Sequence, residues 1–263
     1  MGTWQSGYSS AGIHYTRTGG DKPPLVLAHG FTDSGLCWTR TAQALEEDFD
    51  IIMPDARGHG LTYLPDGTHS AESLAGDLSG LIEELDLGRP PVVGHSMGAA
   101  TALSAATEHP NRIGAIVLVD PPWRPEMEEP RPPEFLRGWK NGIAADKEKS
   151  ESALHARVRE EGPTWHDVEI QTKMAAIRQL DIRVFDSFTP SKRFWRDVLP
   201  EVTCPALLIW ADGGIVDEPI ARIAVGLAPD LTARRIEDSG HCIQRDQFDA
   251  FLDTVRQFLA SIS

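Results

Sequence analysis

The sequence contains little of what is typical of a secreted, metal-binding or membrane-spanning protein. It has three cysteines in 263 residues (Cys37, Cys204 and Cys242) and no Cys-x-x-Cys or His-Glu-x-x-His pattern. An odd number of widely separated cysteines indicates reduced thiols rather than a disulfide framework. We expect no metal site, and no run approaches the roughly 18 apolar residues that a membrane span needs.

Basic residues are scarce relative to acidic ones, with 25 Lys and Arg against 39 Asp and Glu and a formal net charge of −14. This balance disfavours nucleic acid as a partner, and an anionic substrate would need local Arg or Lys to overcome it. Residues 1–10 have neither the basic start nor the apolar stretch of a secretory signal. We therefore expect a cytoplasmic protein without membrane association.

The stretch Gly94-His95-Ser96-Met97-Gly98 organises the chain. Apolar residues precede it, as in a buried strand, and the helix formers of 99–106 follow it. A serine at the apex of a strand–turn–helix adopts a strained backbone conformation, and flanking glycines prevent the clashes that result. The pattern predicts that Ser96 is a nucleophile.

Short apolar runs alternate with amphipathic segments along much of the chain. This alternation predicts an α/β fold with a mostly parallel sheet and helices on both faces. Catalytic groups in such sheets gather at the carboxyl ends of the strands. The polar residues that lie at or just beyond inferred strand ends are His29, Asp55, Ser96, Asp120, Asp212 and His241.

The composition changes at Pro121. Six prolines fall between Pro121 and Pro133, and a polar, helix-prone stretch continues to Asp197. Four of the seven tryptophans lie in or at the edge of this region: Trp123, Trp139, Trp165 and Trp195. We predict a helical insertion over 121–197 in a core formed by 1–120 and 198–263.

A serine hydroxyl needs a neighbouring base, and a histidine base needs a carboxylate that fixes its tautomer. His241 follows Gly240 just after the last inferred strand, which favours it as the base. Three carboxylates are candidates for the third position: Asp120, Asp212 and Asp217.

The oxyanion of a tetrahedral intermediate needs preorganised donors. The backbone N–H of Met97 lies at the start of the helix after Ser96, and the N–H of Phe31 follows His29-Gly30 at the end of a neighbouring strand. These two amides are candidates for an oxyanion hole, and a plain tight turn at His29-Gly30 is the alternative.

Four motifs together resemble the α/β-hydrolase fold enzymes along nearly the whole chain: His29-Gly30-Phe31, the stretch 55–60 (Asp-Ala-Arg-Gly-His-Gly), the stretch 94–98 and Ser239-Gly240-His241. The resemblance implies an eight-stranded sheet with a helical lid inserted after strand six. It also implies Ser96 as the nucleophile, His241 as the base and the Phe31 and Met97 amides as the oxyanion hole. The 55–60 motif is usually structural in this family.

The sequence departs from the family pattern at the acid. Many relatives carry it after strand seven, at a position that corresponds to Gly214, while Asp212 lies two residues earlier. A subset carries the acid directly after strand six, where this chain has Asp120. We prefer Asp120 and keep Asp212 as the alternative.

These features predict a serine hydrolase that cleaves a carboxylic ester or lactone through an acyl-enzyme, with no cofactor. Its small-molecule substrate would be apolar, as an aromatic lid favours, and would contact Phe31 and Trp123. The alternatives are carbon–carbon bond hydrolysis, thioester hydrolysis, cofactor-free perhydrolysis and a non-catalytic ligand receptor. Epoxide hydrolases and dehalogenases of this fold use an aspartate nucleophile, and Ser96 argues against both.

Overall fold

The computed structural model describes residues 4–65, 69–123, 133–189, 191 and 193–262. Within these residues, eight strands form a single sheet in the order β1-β2-β4-β3-β5-β6-β7-β8. The strands are β1 (Gln5–Tyr8), β2 (His14–Arg17), β3 (Pro24–Ala28), β4 (Asp50–Pro54), β5 (Pro91–His95), β6 (Ala115–Val119), β7 (Ala206–Gly213) and β8 (Leu231–Gly240).

The same described residues form eleven α-helices. They are α1 (Thr39–Leu45), α2 (Ala71–Glu84), α3 (Met97–Glu108), α4 (Pro133–Glu148), α5 (Glu151–Glu161), α6 (Asp167–Gln179), α7 (Val184–Ser187), α8 (Trp195–Val198), α9 (Glu218–Leu227), α10 (Ile243–Asp246) and α11 (Phe248–Ser261). Two short 3-10 helices cover Gly35–Trp38 and Leu199–Glu201.

The sheet is parallel from β4 to β8, whereas β2 pairs antiparallel with both β1 and β4. The central strand β3 lies between β4 and β5, so the direction in which the chain builds the sheet reverses there. Loops at the carboxyl ends of strands meet at such a reversal and form a crevice. The loops after β3 and β5 are those that carry Phe31 and Ser96.

Side chains of the parallel strands alternate between two apolar cores, one on each face of the sheet. Val26 packs with residues of α2, α3 and α9, such as Ala102. Leu25 and Leu27 pack on the other face with residues of α1 and α11, such as Phe251. This two-sided burial explains why the strands are continuous apolar runs in the sequence.

Five of the helices, α4 to α8, lie between β6 and β7. Residues of α4 to α7 form apolar clusters apart from the two cores of the sheet, whereas Val198 of α8 belongs to one of those cores. One cluster is formed by Leu154, Val158, Trp165, Ile170 and Ile177. The predicted insertion also includes residues 124–132, 190 and 192, which lie outside the described residues. Several of the prolines noted in the sequence are among them. The function of this segment as a lid stays a prediction.

The predicted α/β fold is confirmed, with small differences in the elements. Strand β1 was not expected, because Gln5–Tyr8 is largely exposed and has no apolar pattern. Strand β7 extends to Gly213, so Asp212 lies inside the strand rather than after it. Ser70 caps α2, since its hydroxyl accepts a hydrogen bond from the Ser73 N–H at 3.3 Å.

The described residues include no helix that combines the length and the apolar character needed to span a bilayer.

Candidate active site

Ser96 lies at a sharp turn between β5 and α3, with φ at 51°. A Cβ atom at Gly94 would lie 2.2 Å from the Gly98 carbonyl oxygen, and one at Gly98 would lie 2.1 Å from that of Ala28. Only glycine fits at both positions, because these neighbours are backbone atoms that cannot move aside. The local sequence thus presents the Ser96 side chain at the end of β5 in the geometry of a nucleophile elbow.

His241 donates a hydrogen bond from Nδ1 to Oδ2 of Asp120, over 2.6 Å. Asp120 follows β6 directly, is completely buried and has φ at 41°. Its carboxylate also accepts hydrogen bonds from the N–H groups of Ile215 and Val216, at 2.8 and 2.9 Å. This arrangement fixes the orientation of the imidazole and leaves its Nε2 atom available to a hydroxyl group.

Ser96 and His241 line the same cavity, which has a volume of about 150 Å³. Its apolar lining residues include Phe31, Trp139 and Ile143. The charged lining residues are Asp33, Arg157, Glu161, Lys173 and Arg245. The sequence-predicted nucleophile, base and Phe31 are thus together at one site.

His95, the residue before Ser96, holds the loop that carries His241. Its Nε2–H donates to the His241 carbonyl oxygen at 2.9 Å, and the two ring centroids lie 4.6 Å apart. Burial, followed by the neighbouring His241, lowers the pKa of His95 well below its usual value. A neutral His95 therefore positions this loop, a role that sequence reasoning missed although the residue lies within the glycine–serine motif.

The Met97 N–H lies in the first turn of α3, where helix amides have no intrahelical acceptor and carry partial positive charge. Phe31 lies in a turn that is closed by a hydrogen bond from the Asp33 N–H to the Gly30 carbonyl oxygen, at 3.1 Å. Gly30 packs closely on the elbow, since a Cβ there would lie 2.7 Å from Nδ1 of His95. Met97 thus follows Ser96 directly in the chain, and Gly30, the residue before Phe31, packs against the turn that carries Ser96.

His29 and Asp55 brace the loops beneath the site. His29 donates from Nδ1 to the Gly30 carbonyl oxygen at 2.8 Å and accepts from the Ala56 N–H at 2.9 Å. Asp55 accepts from the N–H groups of Gly35 and Leu61, at 2.7 and 2.9 Å. These bonds link the loops after β3 and β4, which is a structural role.

Three charged side chains that lie far apart in the sequence form a buried cluster beside the cavity. Asp33 accepts hydrogen bonds at 2.8 Å from both Lys173 Nζ and Arg245 Nη2. Burial alone would raise the pKa of Asp33, but Arg245 and Lys173 overcome that effect and hold it far below its usual value. We call Asp33, Lys173 and Arg245 the ion cluster.

Sequence reasoning missed the ion cluster because no local motif joins its members. One signal was present: Lys173 stands in the apolar stripe of α6, between the buried Ile170 and Ile177. A lysine on a buried face needs an acidic partner from another element.

A model of the alpha/beta hydrolase family matches residues 25–254. This chain belongs to that family. It is 30% identical over 98% of both chains to N-formylmaleamate deformylase of Pseudomonas putida. The crystal structure of N-formylmaleamic acid deformylase from P. putida S16 superposes with a TM-score of 0.79 at 26% identity, and covers 96% of this chain and 100% of that one. An epoxide hydrolase of Caballeronia sordidicola is 29% identical over 76% of this chain and 50% of its own length.

The two other candidate acids of this alpha/beta hydrolase make hydrogen bonds away from His241. Asp212 accepts hydrogen bonds at 2.6 and 2.8 Å from Arg235 on the surface and does not line the cavity. Asp217 caps α9 by accepting from the Ile220 N–H at 2.9 Å. A Cβ at Gly214 would lie 2.7 Å from Oδ1 of Asp120. A side chain at position 214, where many relatives carry the acid, would therefore enter the space that the Asp120 carboxylate fills.

The two residues predicted to contact substrate lie in different environments. The Phe31 ring lines the cavity and packs edge-on against Trp139 and Phe185, with both centroid distances at 5.0 Å. Trp123 is 3% exposed and stacks on Trp195 at 4.6 Å, within the core that covers one face of the sheet. The structure does not bring Trp123 to the cavity, and the tryptophan that lines it is Trp139.

Proposed function

We propose that this alpha/beta hydrolase is a serine hydrolase that cleaves a carboxylic ester or lactone through an acyl-enzyme. One observation carries the proposal: Ser96 lines the same cavity as His241, whose Nδ1 is 2.6 Å from the buried carboxylate of Asp120. The serine, histidine and aspartate come from the loops after three different strands, and this combination has the chemistry of a nucleophile, its base and the group that orients the base.

In the proposed mechanism, His241 Nε2 removes the hydroxyl proton of Ser96 as Oγ attacks the substrate carbonyl carbon. Asp120 accepts the Nδ1–H bond throughout and stabilises the imidazolium that forms. The N–H groups of Phe31 and Met97 donate to the oxyanion.

The imidazolium of His241 then gives its proton to the departing alcohol oxygen, and the acyl group stays on Ser96. Water attacks this ester with His241 as the base. Collapse of the second intermediate releases the carboxylic acid and restores Ser96. No step requires a cofactor.

The lining of the cavity favours a small substrate with one apolar and one polar or anionic part. Phe31, Trp139 and Ile143 supply an apolar wall. The charged lining residues are three cations (Arg157, Lys173 and Arg245) and two carboxylates (Asp33 and Glu161), so the lining carries one excess positive charge in a protein whose net charge is −14. The aromatic residues of the predicted lid favoured a wholly apolar substrate; the charged lining leads us to prefer a substrate that also has a polar or anionic part. In this proposal, α4 to α7 cover the cavity as a lid.

A second candidate function is hydrolysis of an N-acyl group on a small carboxylate-bearing compound. Two observations favour it: the 30% identity over 98% of the chain to N-formylmaleamate deformylase, and the excess of one positive charge among the residues that line the cavity. The chemistry at Ser96 would be the same, with an amine or amide nitrogen as the leaving group. Epoxide opening is disfavoured, because a serine stands where the family resemblance implies an aspartate in such enzymes.

The proposed function is tested by a hydrolysis screen on the purified protein. The substrates are p-nitrophenyl esters of increasing chain length, simple lactones and N-formylmaleamate, each with Ser96→Ala as the control. We expect turnover that is lost in Ser96→Ala, and the preferred substrate distinguishes the ester from the N-acyl function. Equal turnover by Ser96→Ala, or no turnover and no fluorophosphonate labelling of Ser96, would contradict the proposal.

A further inference from the structure

The turn that presents the Phe31 amide contains an unfavourable backbone conformation. Gly30 to Asp33 form a four-residue turn closed by a hydrogen bond of 3.1 Å, and Thr32 occupies its third position with φ at 67°. Turns with a positive φ at this position normally carry glycine or asparagine there. A β-branched residue in this region of φ is an outlier that surrounding contacts have to maintain.

Those contacts come from a helix of the insertion. Lys173 on α6 donates from Nζ to the Thr32 carbonyl oxygen at 3.2 Å and to the Thr32 hydroxyl at 3.0 Å. Its third hydrogen bond, to Asp33 Oδ1, measures 2.8 Å. Lys173 is 6% exposed, so these bonds are shielded from water.

The same ion cluster extends to the loop of the proposed base. Asp33 Oδ2 accepts from Arg245, which lies on α10, four residues after His241. Arg245 is 2% exposed. One buried carboxylate thus connects the lid helix α6, the Phe31 turn and the segment that follows His241.

We propose that Lys173 is a positioning residue that holds the Phe31–Thr32 turn in the conformation required for the oxyanion hole. The helical insertion then does more than cover the cavity, because the hole is complete only while α6 is docked on the turn. This inference rests on the proposed function for the role of the Phe31 amide.

An ammonium group has three N–H donors. All three donors of Lys173 have acceptors within the turn, so the side chain has none left for a substrate. A positioning role therefore predicts a fall in kcat with little change in KM, equal for neutral and anionic substrates. If Lys173 instead bound the substrate, its removal would raise KM, and the increase would be largest for anionic substrates.

The test substitutes Lys173→Met, which keeps most of the side-chain volume and leaves Asp33 paired with Arg245. Loss of a single oxyanion-hole donor lowers kcat by roughly 100-fold to 1000-fold in proteases, and we expect a partial loss, roughly 10-fold to 100-fold, from a misplaced one. Thr32→Gly in the Lys173→Met background should restore most of this activity, because glycine adopts a positive φ without help.

Lys147→Met is the matched control. Lys147 on α4 also donates to α6, with Nζ 2.6 Å from the Arg178 carbonyl oxygen and 2.7 Å from that of Leu180, but it does not contact the turn. We expect this variant to lower the stability of the insertion, because it loses hydrogen bonds to carbonyl groups at the end of α6. Its kcat should stay within about twofold of the parent value, because the Phe31–Thr32 turn keeps its hydrogen bonds to Lys173.

Equal kcat in Lys173→Met and the parent protein, or no recovery with Thr32→Gly, would overturn the proposal. A crystal structure of Lys173→Met provides a readout that needs no turnover: we expect Thr32 to leave the positive-φ region, and an unchanged turn would overturn the inference. If the parent protein shows no Ser96-dependent turnover, the proposed function fails, and the crystal structure still decides whether Lys173 holds the turn.

Discussion

At the scale of single residues, Asp120 and Asp212 show how burial separates two carboxylates that the sequence presents as alternatives. Asp120 is buried and bonded to His241 and to two backbone amides. Asp212 lies on the surface in an ion pair with Arg235. A surface pair of this kind contributes little to stability, whereas a buried carboxylate on an imidazole controls its tautomer.

We expect Asp120→Asn to lower kcat by up to about 10⁴-fold, by analogy with the loss of tautomer control in the protease triad. Asp212→Asn is the matched control and should stay within about twofold of the parent protein, because it removes only the surface pair. Steady-state kinetics on the best ester substrate measure both. The reverse pattern would contradict the assignment of Asp120.

Cys242 lies beside His241 and lines the cavity, but its thiol is not a second nucleophile in our account. Burial raises the pKa of this thiol to about 12, so the reactive thiolate is nearly absent at neutral pH. We expect Cys242→Ala to retain fluorophosphonate labelling of Ser96, and iodoacetamide at pH 8 to leave the activity unchanged. Rapid inactivation that Cys242→Ala prevents would contradict this view.

At the scale of elements, the tryptophans in and near the helical insertion have two different environments. Trp139 on α4 faces the cavity and the Phe31 ring. Trp123, just after β6, stacks on Trp195 of α8 within the core. Both are tryptophans of the predicted insertion 121–197, and no local pattern in the sequence shows which of them faces the cavity.

This contrast predicts opposite effects of truncation. Trp123→Ala should lower the free energy of unfolding by about 3–5 kcal/mol, as for other buried aromatic side chains, with KM little changed. Trp139→Ala should raise KM severalfold with a smaller loss of stability, because it removes part of the apolar wall. Urea unfolding and steady-state kinetics on both variants provide the comparison, and a stable Trp123→Ala enzyme with a raised KM would contradict it.

Local and periodic features of the fold were predictable from the sequence. The elbow at Ser96 follows from flanking glycines between an apolar run and helix formers, and the sheet follows from continuous apolar strands. Strand β1 was not predictable, because its exposed residues carry no apolar pattern. The ion cluster was missed for a different reason: its three residues meet only through the packing of α6 and α10 on the Phe31 turn.

At the scale of the whole molecule, buried histidines make the free energy of unfolding depend on pH. Burial is the main cause that lowers the pKa of His29, His59, His69 and His95, in the case of His69 to about 4. The unfolded chain binds protons at these positions near pH 6.5. The native state therefore binds fewer protons than the unfolded state as the pH falls below about 6.5.

It follows that the free energy of unfolding decreases between about pH 6.5 and 4. Each histidine that is protonated only in the unfolded state contributes a slope of up to about 1.4 kcal/mol per pH unit. Asp33 and Asp55, whose pKa values are lowered, add to the loss only near and below pH 4. Urea unfolding at pH 7, 6 and 5 measures the slope. His69→Gln should make it shallower, and a flat profile would contradict the prediction.

The proposed mechanism requires that Ser96 carries the acyl group during turnover, and this acyl-enzyme can be trapped. The protein is mixed with p-nitrophenyl acetate, quenched in acid within milliseconds and analysed by intact and peptide mass spectrometry. We predict one acetyl group per chain, on Ser96, that forms and decays during turnover and is absent from Ser96→Ala. An acetyl group on a different residue, or turnover that persists in Ser96→Ala, would contradict the account.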